Sequence, residues 1–141
     1  MSVIVDTGVL YAHHDVDAHR HEIARAAMKR IVAGEYGQPF ISDHIYDETV
    51  TLTRTRTGRY ADTKQVSNHL IGQPSPFELL VVDKSQFQRA IETFDRYDDH
   101  ALSFTDATTI SLLEQRDIDH VLAFDDDFDG IVSRLSPGEI A

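Results

Sequence analysis

Residues 2–12 of the chain read Ser2-Val3-Ile4-Val5-Asp6-Thr7-Gly8-Val9-Leu10-Tyr11-Ala12. Three consecutive β-branched apolar residues, Val3, Ile4 and Val5, predict a short strand buried on both faces, as in a parallel sheet. The strand ends at Asp6, and open α/β sheets bind ligands at the carboxyl ends of their strands. Asp6 is therefore a candidate functional residue, although an aspartate here could also serve only to cap a helix that begins at Val9.

The composition is that of a single acidic domain. A chain of 141 residues is long enough to bury its own core, so we expect one domain over residues 1–141. There is no cysteine, which excludes disulfides, thiolate zinc sites and cysteine nucleophiles. The first residues run directly into a strand, so we expect no signal peptide, no transmembrane helix and a cytoplasmic location.

The charge balance restricts how nucleic acid could bind. The net charge of −11 comes from 24 acidic and 13 basic residues, and such a surface repels polyanions. A nucleic-acid partner would need a local basic strip and bridging cations. Arg54, Arg56 and Arg59 could form that strip, and the alternative interpretation is an exposed helix end with ordinary salt bridges.

Strand-like and helical segments alternate along the chain. Further strands are predicted at residues 39–42, 77–82 and 120–124, and the last residues, including Pro137 and Ile140, are expected to add an edge strand. Helical periodicity indicates helices near residues 23–31, 45–54, 60–71, 85–97 and 103–113. A polar turn is expected from Tyr11 to His19, with Asp17 capping the helix that follows. This alternation predicts an α/β fold with a mainly parallel sheet.

Two helices have a clear apolar stripe. Phe87, Ala90, Ile91 and Phe94 follow helical spacing and define an amphipathic helix. In the next helix the inner stripe is expected at residues 107, 110 and 113.

Four histidines, His13, His14, His19 and His21, fall between the first strand and the first long helix. Neighbouring residues and residues two apart point in different directions on a helix. A His-x-x-x-His pair, which would place two imidazoles on one helix face, is not present here. We therefore expect structural or solvated roles for these histidines rather than metal binding.

Four acids are predicted to meet at one edge of the sheet. Asp6 and Asp125 leave buried strands, while Glu48 and Asp106 lie near the starts of helices that follow strand-exit loops. Asp106 could instead act locally, because Ser103 lies at capping-box spacing before it. Converging carboxylates raise one another's pKa unless a cation neutralises them, and oxygen ligands suit a hard ion such as Mg²⁺.

A calcium loop is the competing local interpretation of the last acids. The spacing Asp125-x-Asp127-x-Asp129-Gly130 matches the first half of an EF-hand loop. The second half does not match, because the twelfth position is Ser136 rather than Glu and a strand precedes the loop.

The four acidic motifs together resemble a PIN domain, and most closely a VapC-type toxin of a toxin–antitoxin pair. Those motifs are Val-Ile-Val-Asp6-Thr-Gly, Ile-Tyr-Asp-Glu48-Thr-Val, Ser-Phe-Thr-Asp106-Ala and Leu-Ala-Phe-Asp125-Asp-Asp-Phe. Their order and spacing agree with the family over nearly the whole chain. The resemblance implies a three-layer sandwich with a central sheet flanked by helices.

The resemblance also implies an activity and its cofactor. A PIN domain of this type is expected to be an endoribonuclease that depends on Mg²⁺ or Mn²⁺, with Asp6 and Asp106 as direct metal ligands. Glu48 and Asp125 would complete the acidic cluster, and Asp127 would be an additional acid. A homodimer and a small antitoxin that blocks the pocket are the expected partners.

Two alternatives remain at this point. A receiver-like module would also gather acids around Mg²⁺, but it needs a lysine beyond a late strand, and Lys29, Lys64 and Lys84 all come too early. A PIN scaffold that binds RNA without cutting it is the other alternative. The presence of all four acids favours the active nuclease.

Overall fold

The computed structural model describes residues 1–141 and contains one parallel sheet. Its strands are β1 (Ser2–Val5), β2 (Gln38–Ser42), β3 (Glu78–Leu80), β4 (His120–Leu122) and β5 (Arg134–Leu135). Neighbouring strands pair in the order β3-β2-β1-β4-β5, and every pair is parallel. Strand β1 is the middle strand of the five, and its apolar side chains at residues 3 to 5 are completely buried. The predicted α/β fold is confirmed.

Seven helices connect and flank the strands. They are α1 (Thr7–His14), α2 (His21–Val32), α3 (Asp43–Thr57), α4 (Tyr60–Ile71), α5 (Lys84–Arg96), α6 (Phe104–Arg116) and α7 (Pro137–Ile140). Helix α1 contacts α2 and α3, α3 contacts α4, and α5 packs on α6. Right-handed crossovers, which parallel sheets almost always use, place helices α1 to α4 on one face of the sheet and helices α5 and α6 on the other. This arrangement gives the expected three layers. None of the helices combines the length and apolar character needed to cross a bilayer.

The order of the strands reverses beside β1. The chain moves outward from β1 to β2 and β3, and then returns to β4 on the other side of β1. The backbone N–H of Asp6 donates to the carbonyl oxygen of Leu122 at 3.0 Å, so the two strands stay paired up to their carboxyl ends. In open α/β sheets, ligands bind in the crevice at such a reversal.

A helix occupies the first part of the segment that was expected to be a polar turn. Residues 11–19 were expected to form a polar turn, but α1 continues to His14. Most of α1 is buried, so its sequence has no polar face to reveal a helical period. The cap predicted at Asp17 is wrong, because Arg20 is the N-cap of α2 and the Asp17 N–H donates to Asp15 Oδ1 at 3.0 Å.

The end of the chain also differs from the prediction. The last residues, including Pro137 and Ile140, were expected to add an edge strand. The edge strand is present as β5, but residues 137–140 form α7 instead of extending it. Pro137 occupies the first helical position, where its missing N–H removes no hydrogen bond and its fixed φ favours a helix.

Most of the apolar stripe predicted for helix α5 faces away from the protein core. Only Ala90 of the predicted stripe is buried, together with Thr93 on the inner face. Phe87, Ile91 and Phe94 keep 44%, 40% and 41% of their surface exposed. The periodicity correctly indicated a helix with one apolar face, but this face is not covered within the chain. We call Phe87, Ile91 and Phe94 the α5 apolar stripe.

Candidate active site

Asp6 lies at the carboxyl end of β1 and is 8% exposed. It occupies the N-cap position of α1, yet its side chain makes no capping hydrogen bond. Its Oδ1 atom is buried and has no hydrogen-bond partner. An unpaired buried carboxylate oxygen is unfavourable unless something outside the chain pairs with it. The structure therefore favours a ligand-binding role for Asp6 over a capping role.

Asp106 combines the two roles that its sequence context suggested. It is the third residue of α6, and Ser103 and Asp106 form a reciprocal capping box. The Ser103 N–H donates to Asp106 Oδ2 at 3.0 Å, and the Asp106 N–H donates to Ser103 Oγ at 3.0 Å. This arrangement uses one carboxylate oxygen and fixes the orientation of the group, which leaves Oδ1 for another partner.

Asp125 follows β4 by three residues and is exposed. It caps a short 3₁₀ turn, Asp126–Phe128, by accepting the N–H of Asp127 on Oδ1 at 2.9 Å. Asp125, Asp126 and Asp127 each place a carboxylate oxygen within 4.8 Å of the others. The charge of Asp125 is the main reason that the pKa of Asp127 is raised.

Asp129, the third acid of the EF-hand-like spacing, takes no part in this cluster. Asp129 Oδ1 accepts a hydrogen bond from Arg134 Nε at 2.7 Å, within an ion pair. The loop therefore has no calcium-loop arrangement.

Glu48 lies in the second turn of α3 and is half-buried. Helix α3 begins directly after β2, because Ser42 accepts the N–H of Ile45 on its side chain and caps the helix. The charge of Glu48 contributes to the raised pKa of both Asp6 and Asp106, so it belongs to the same group of interacting charges.

The charges of the neighbouring acids raise the pKa of Asp6 and of Asp106. Burial raises the pKa of Asp6 from 3.8 to about 7, and the charges of Asp106, Glu48 and Asp125 add to the effect, against a lowering by the Thr7 N–H. Burial is also the main cause that raises the pKa of Asp106, with Asp125 and Glu48 contributing. A cation at this position would relieve both the burial of charge and the repulsion.

The donor set fits a hard divalent ion held by few direct ligands. No three of these four acids have carboxylate oxygens within 4.8 Å of one another. An ion in this arrangement would contact at most two of them directly, and would reach the others through water. Mg²⁺ is usually bound in this way, with one or two carboxylates and several waters.

An open cleft of about 860 Å³ adjoins Asp6 and Asp125. Two arginines line it, and both lie over aromatic rings: Arg20 is 4.6 Å from the ring centre of Phe124, and Arg56 is 4.9 Å from that of Tyr11. Neither arginine forms a salt bridge, so the N–H groups of both can bind an anion.

The three arginines predicted to form a strip have different surroundings. Arg56 lines the cleft, whereas Arg54 lies over Tyr60 at 5.5 Å and Arg59 pairs with Asp62 at 2.7 Å. Arg20 was not identified from the sequence. It is a single arginine in a polar turn, and no local pattern distinguishes it.

The family follows from comparison with known proteins. A family model described as PIN domain matches residues 3–132, so the chain belongs to the PIN-domain family. The resemblance indicated by the four motifs is thereby confirmed.

Curated relatives agree with this assignment. The chain is 24% identical to a VapC ribonuclease of Archaeoglobus fulgidus over 116 residues, which cover 82% of this chain and 72% of that protein. It is 29% identical to the 23S rRNA-specific endonuclease VapC20 of Mycobacterium tuberculosis over 126 residues, which cover 89% of this chain and 91% of that protein.

Solved structures extend the likeness to three dimensions. The crystal structure of Mycobacterium tuberculosis VapC20, described as a sarcin-ricin loop cleaving toxin, matches with a TM-score of 0.78 and 28% identity, covering 92% of this chain and 96% of that one. A toxin–antitoxin complex from Klebsiella pneumoniae matches with a TM-score of 0.67 and 16% identity, covering 96% and 97%. At that identity the second match supports the fold alone.

Proposed function

We propose that this PIN domain is an endoribonuclease that depends on Mg²⁺ or Mn²⁺, and that it is the toxin of a type II toxin–antitoxin pair. The observation that carries the proposal is the buried, unpaired Oδ1 of Asp6, surrounded by other carboxylates at the reversal of strand order. The relatives described as ribonucleases support the choice of RNA as substrate. A cytoplasmic location is proposed with it.

Each acid has a role in this proposal. Asp6 and Asp106 would hold the ion directly, because each has a carboxylate oxygen that is not used within the chain. Glu48 and Asp125 would accept hydrogen bonds from water and orient it, and Asp127 is an additional acid beside Asp125. When bound, the ion supplies a water of lowered pKa and neutralises charge on the scissile phosphate.

Incubating the purified chain with RNA tests the proposal. Cleavage is expected with Mg²⁺ or Mn²⁺ and is expected to stop when a chelator removes the metal. Intact RNA under all metal conditions, in the wild type as in an Asp6→Asn variant, would contradict the proposal. It would favour the RNA-binding scaffold instead.

Arg56 and Arg20, which both line the cleft, are proposed to contact the RNA backbone. Replacing Arg56 by alanine is expected to weaken RNA binding about tenfold, because hydrogen bonds from charged groups contribute about 1.5–3 kcal/mol. The slope of the logarithm of the binding constant against the logarithm of the salt concentration should also decrease by about one, as expected for one lost phosphate contact. Binding measured by fluorescence anisotropy at several salt concentrations provides the check.

Arg59→Ala is the matched control for this prediction, because Arg59 is paired with Asp62 and lies outside the cleft. Equal weakening by both substitutions would indicate a general effect of charge and would contradict a specific role for Arg56.

We also propose that the chain forms a homodimer through the α5 apolar stripe and that an antitoxin covers the acidic cleft. Phe104, at the start of α6, has its ring centre 5.6 Å from that of Phe87 and 5.8 Å from that of Phe94, so the stripe continues towards Asp106. Large exposed apolar patches are typical of protein interfaces.

Light scattering should therefore give twice the mass of one chain. Phe94→Glu is expected to shift the protein to monomers, because it places a charge in the apolar contact. Glu92→Gln, on the same helix, should leave the mass unchanged. A wild type that is monomeric at high concentration would contradict the dimer.

A further inference from the structure

Three histidines form a cluster outside the acidic region. His13 and His14 end α1, and His69 lies in the last turn of α4. Each offers a ring nitrogen within 4.8 Å of the nitrogens offered by the other two. The ring centres are 4.9 Å apart for His13 and His14, 5.4 Å for His13 and His69, and 4.7 Å for His14 and His69.

The distances are close to those of a metal site. His14 Nε2 and His69 Nδ1 are 2.9 Å apart. Two nitrogens bound to a tetrahedral zinc ion at about 2.0–2.1 Å lie about 3.3–3.4 Å from each other. The two rings would need to separate by only a few tenths of an ångström to admit an ion between them.

A hydrogen bond between His14 and His69 explains only part of the cluster. One ring can donate and the other accept, which satisfies those two nitrogens. The Nδ1 atom of His13 is also buried but has no hydrogen-bond partner. No carboxylate is paired with any of the three rings, so the cluster is not a set of charged, salt-bridged histidines.

The protonation state of the rings suits metal binding. Burial lowers the pKa of His13 to about 4 and that of His14 to about 3, with neighbouring imidazoles contributing, and burial also lowers the pKa of His69. Imidazole binds metals in its neutral form, so these rings would release no proton on binding near pH 7.

We propose that His13, His14 and His69 form a second metal site, which takes a borderline divalent ion of the Zn²⁺ type through three imidazole nitrogens. Three protein ligands leave the fourth position of a tetrahedral ion for water, and His14 borders a cavity of about 220 Å³ that can hold water. Nitrogen ligands distinguish this site from the acidic region, whose oxygen ligands select harder ions.

The site would connect two helices that are far apart in sequence. An ion held by α1 and α4 would fix the end of an eight-residue helix that is about 12 Å long and follows directly after Asp6. Its expected effect is on stability and on the position of α1. This inference does not depend on the proposed nuclease activity.

Zinc titration of untagged, metal-free protein tests the inference. All samples contain excess Mg²⁺, so that the carboxylates do not compete for zinc. We expect one zinc ion per chain by calorimetry. At a free zinc concentration about 100 times the dissociation constant, the melting temperature should rise by roughly 8 °C.

Variants assign the binding to the cluster. His69→Gln and His14→Gln should each abolish the stoichiometric binding and the rise in melting temperature. His19→Gln is the matched control, because it removes an exposed histidine near the end of α1, and it should behave as the wild type. Absence of binding in the wild type, or equal binding in His69→Gln, would overturn the inference.

Cobalt spectroscopy of the wild type keeps the test decisive if a variant fails to fold. A four-coordinate Co²⁺ ion with nitrogen ligands absorbs visible light much more strongly than a six-coordinate ion with oxygen ligands. Strong absorption that excess Mg²⁺ does not remove supports the cluster. Weak absorption that Mg²⁺ abolishes would assign the ion to the carboxylates and overturn the inference.

Discussion

Replacing Asp6 by asparagine is expected to lower the rate of RNA cleavage by at least about 10³-fold, which corresponds to about 4 kcal/mol of lost transition-state stabilisation. The substitution keeps the shape of the side chain and removes the charge that would hold the ion. Because Asp6 is buried beside other carboxylates, the metal-free variant should be at least as stable as the wild type. Initial rates with a defined RNA substrate and a melting curve provide the two measurements.

Residues 47 and 48 offer a matched comparison for this prediction. Glu48→Gln should reduce the rate, since Glu48 belongs to the same group of interacting charges, whereas Asp47→Asn should have little effect because Asp47 is exposed. A fully active Asp6→Asn variant, or one that is inactive only because it is unfolded, would contradict the role assigned to Asp6.

Without metal, the free energy of unfolding is expected to fall as the pH rises from about 4 to about 7. The carboxyl of Asp6 has a pKa of about 7 in the folded chain and 3.8 as its ordinary value. Between these values the folded state keeps the proton that the unfolded state has lost, so each pH unit destabilises the fold. The total loss in the free energy of unfolding is on the order of 4 kcal/mol, because each pH unit contributes at most about 1.36 kcal/mol.

Denaturant unfolding in the presence of a chelator, at pH 5 and at pH 8, measures about two thirds of this difference, because the loss below pH 5 lies outside the interval. The Asp6→Asn variant should show a much smaller change, because it has no proton to lose at this position. Mg²⁺ should restore stability at pH 8 more than at pH 5, since it binds the ionised carboxylates. If the stability of the wild type rises over this pH range, the pKa of Asp6 is not raised as described.

Sequence reasoning performed best where structure depends on neighbouring residues. The run of β-branched residues before Asp6 was sufficient to predict a buried parallel strand, and the carboxyl-end rule then placed Asp6 and Asp125 at one edge. For Asp106, capping and a free carboxylate oxygen were treated as alternatives, and both occur together.

Prediction from the sequence was poorest where the surroundings of a side chain come from distant parts of the chain. His69 is separated from His14 by 55 residues, so the spacing of the early histidines could not reveal the cluster. The α5 apolar stripe shows a different limit, because periodicity identifies a face that favours burial but not the surface that buries it. In α1, burial on most sides removed the period altogether.

The pairing of β1 with β4 has a consequence for the order of events during protein synthesis. The first strand is synthesised more than a hundred residues before its neighbour at residues 120–122. Asp6 therefore has no Asp125 beside it until synthesis has passed residue 125. A shorter nascent chain would lack part of the proposed acidic cluster, so we expect it to leave the RNA of its own ribosome intact.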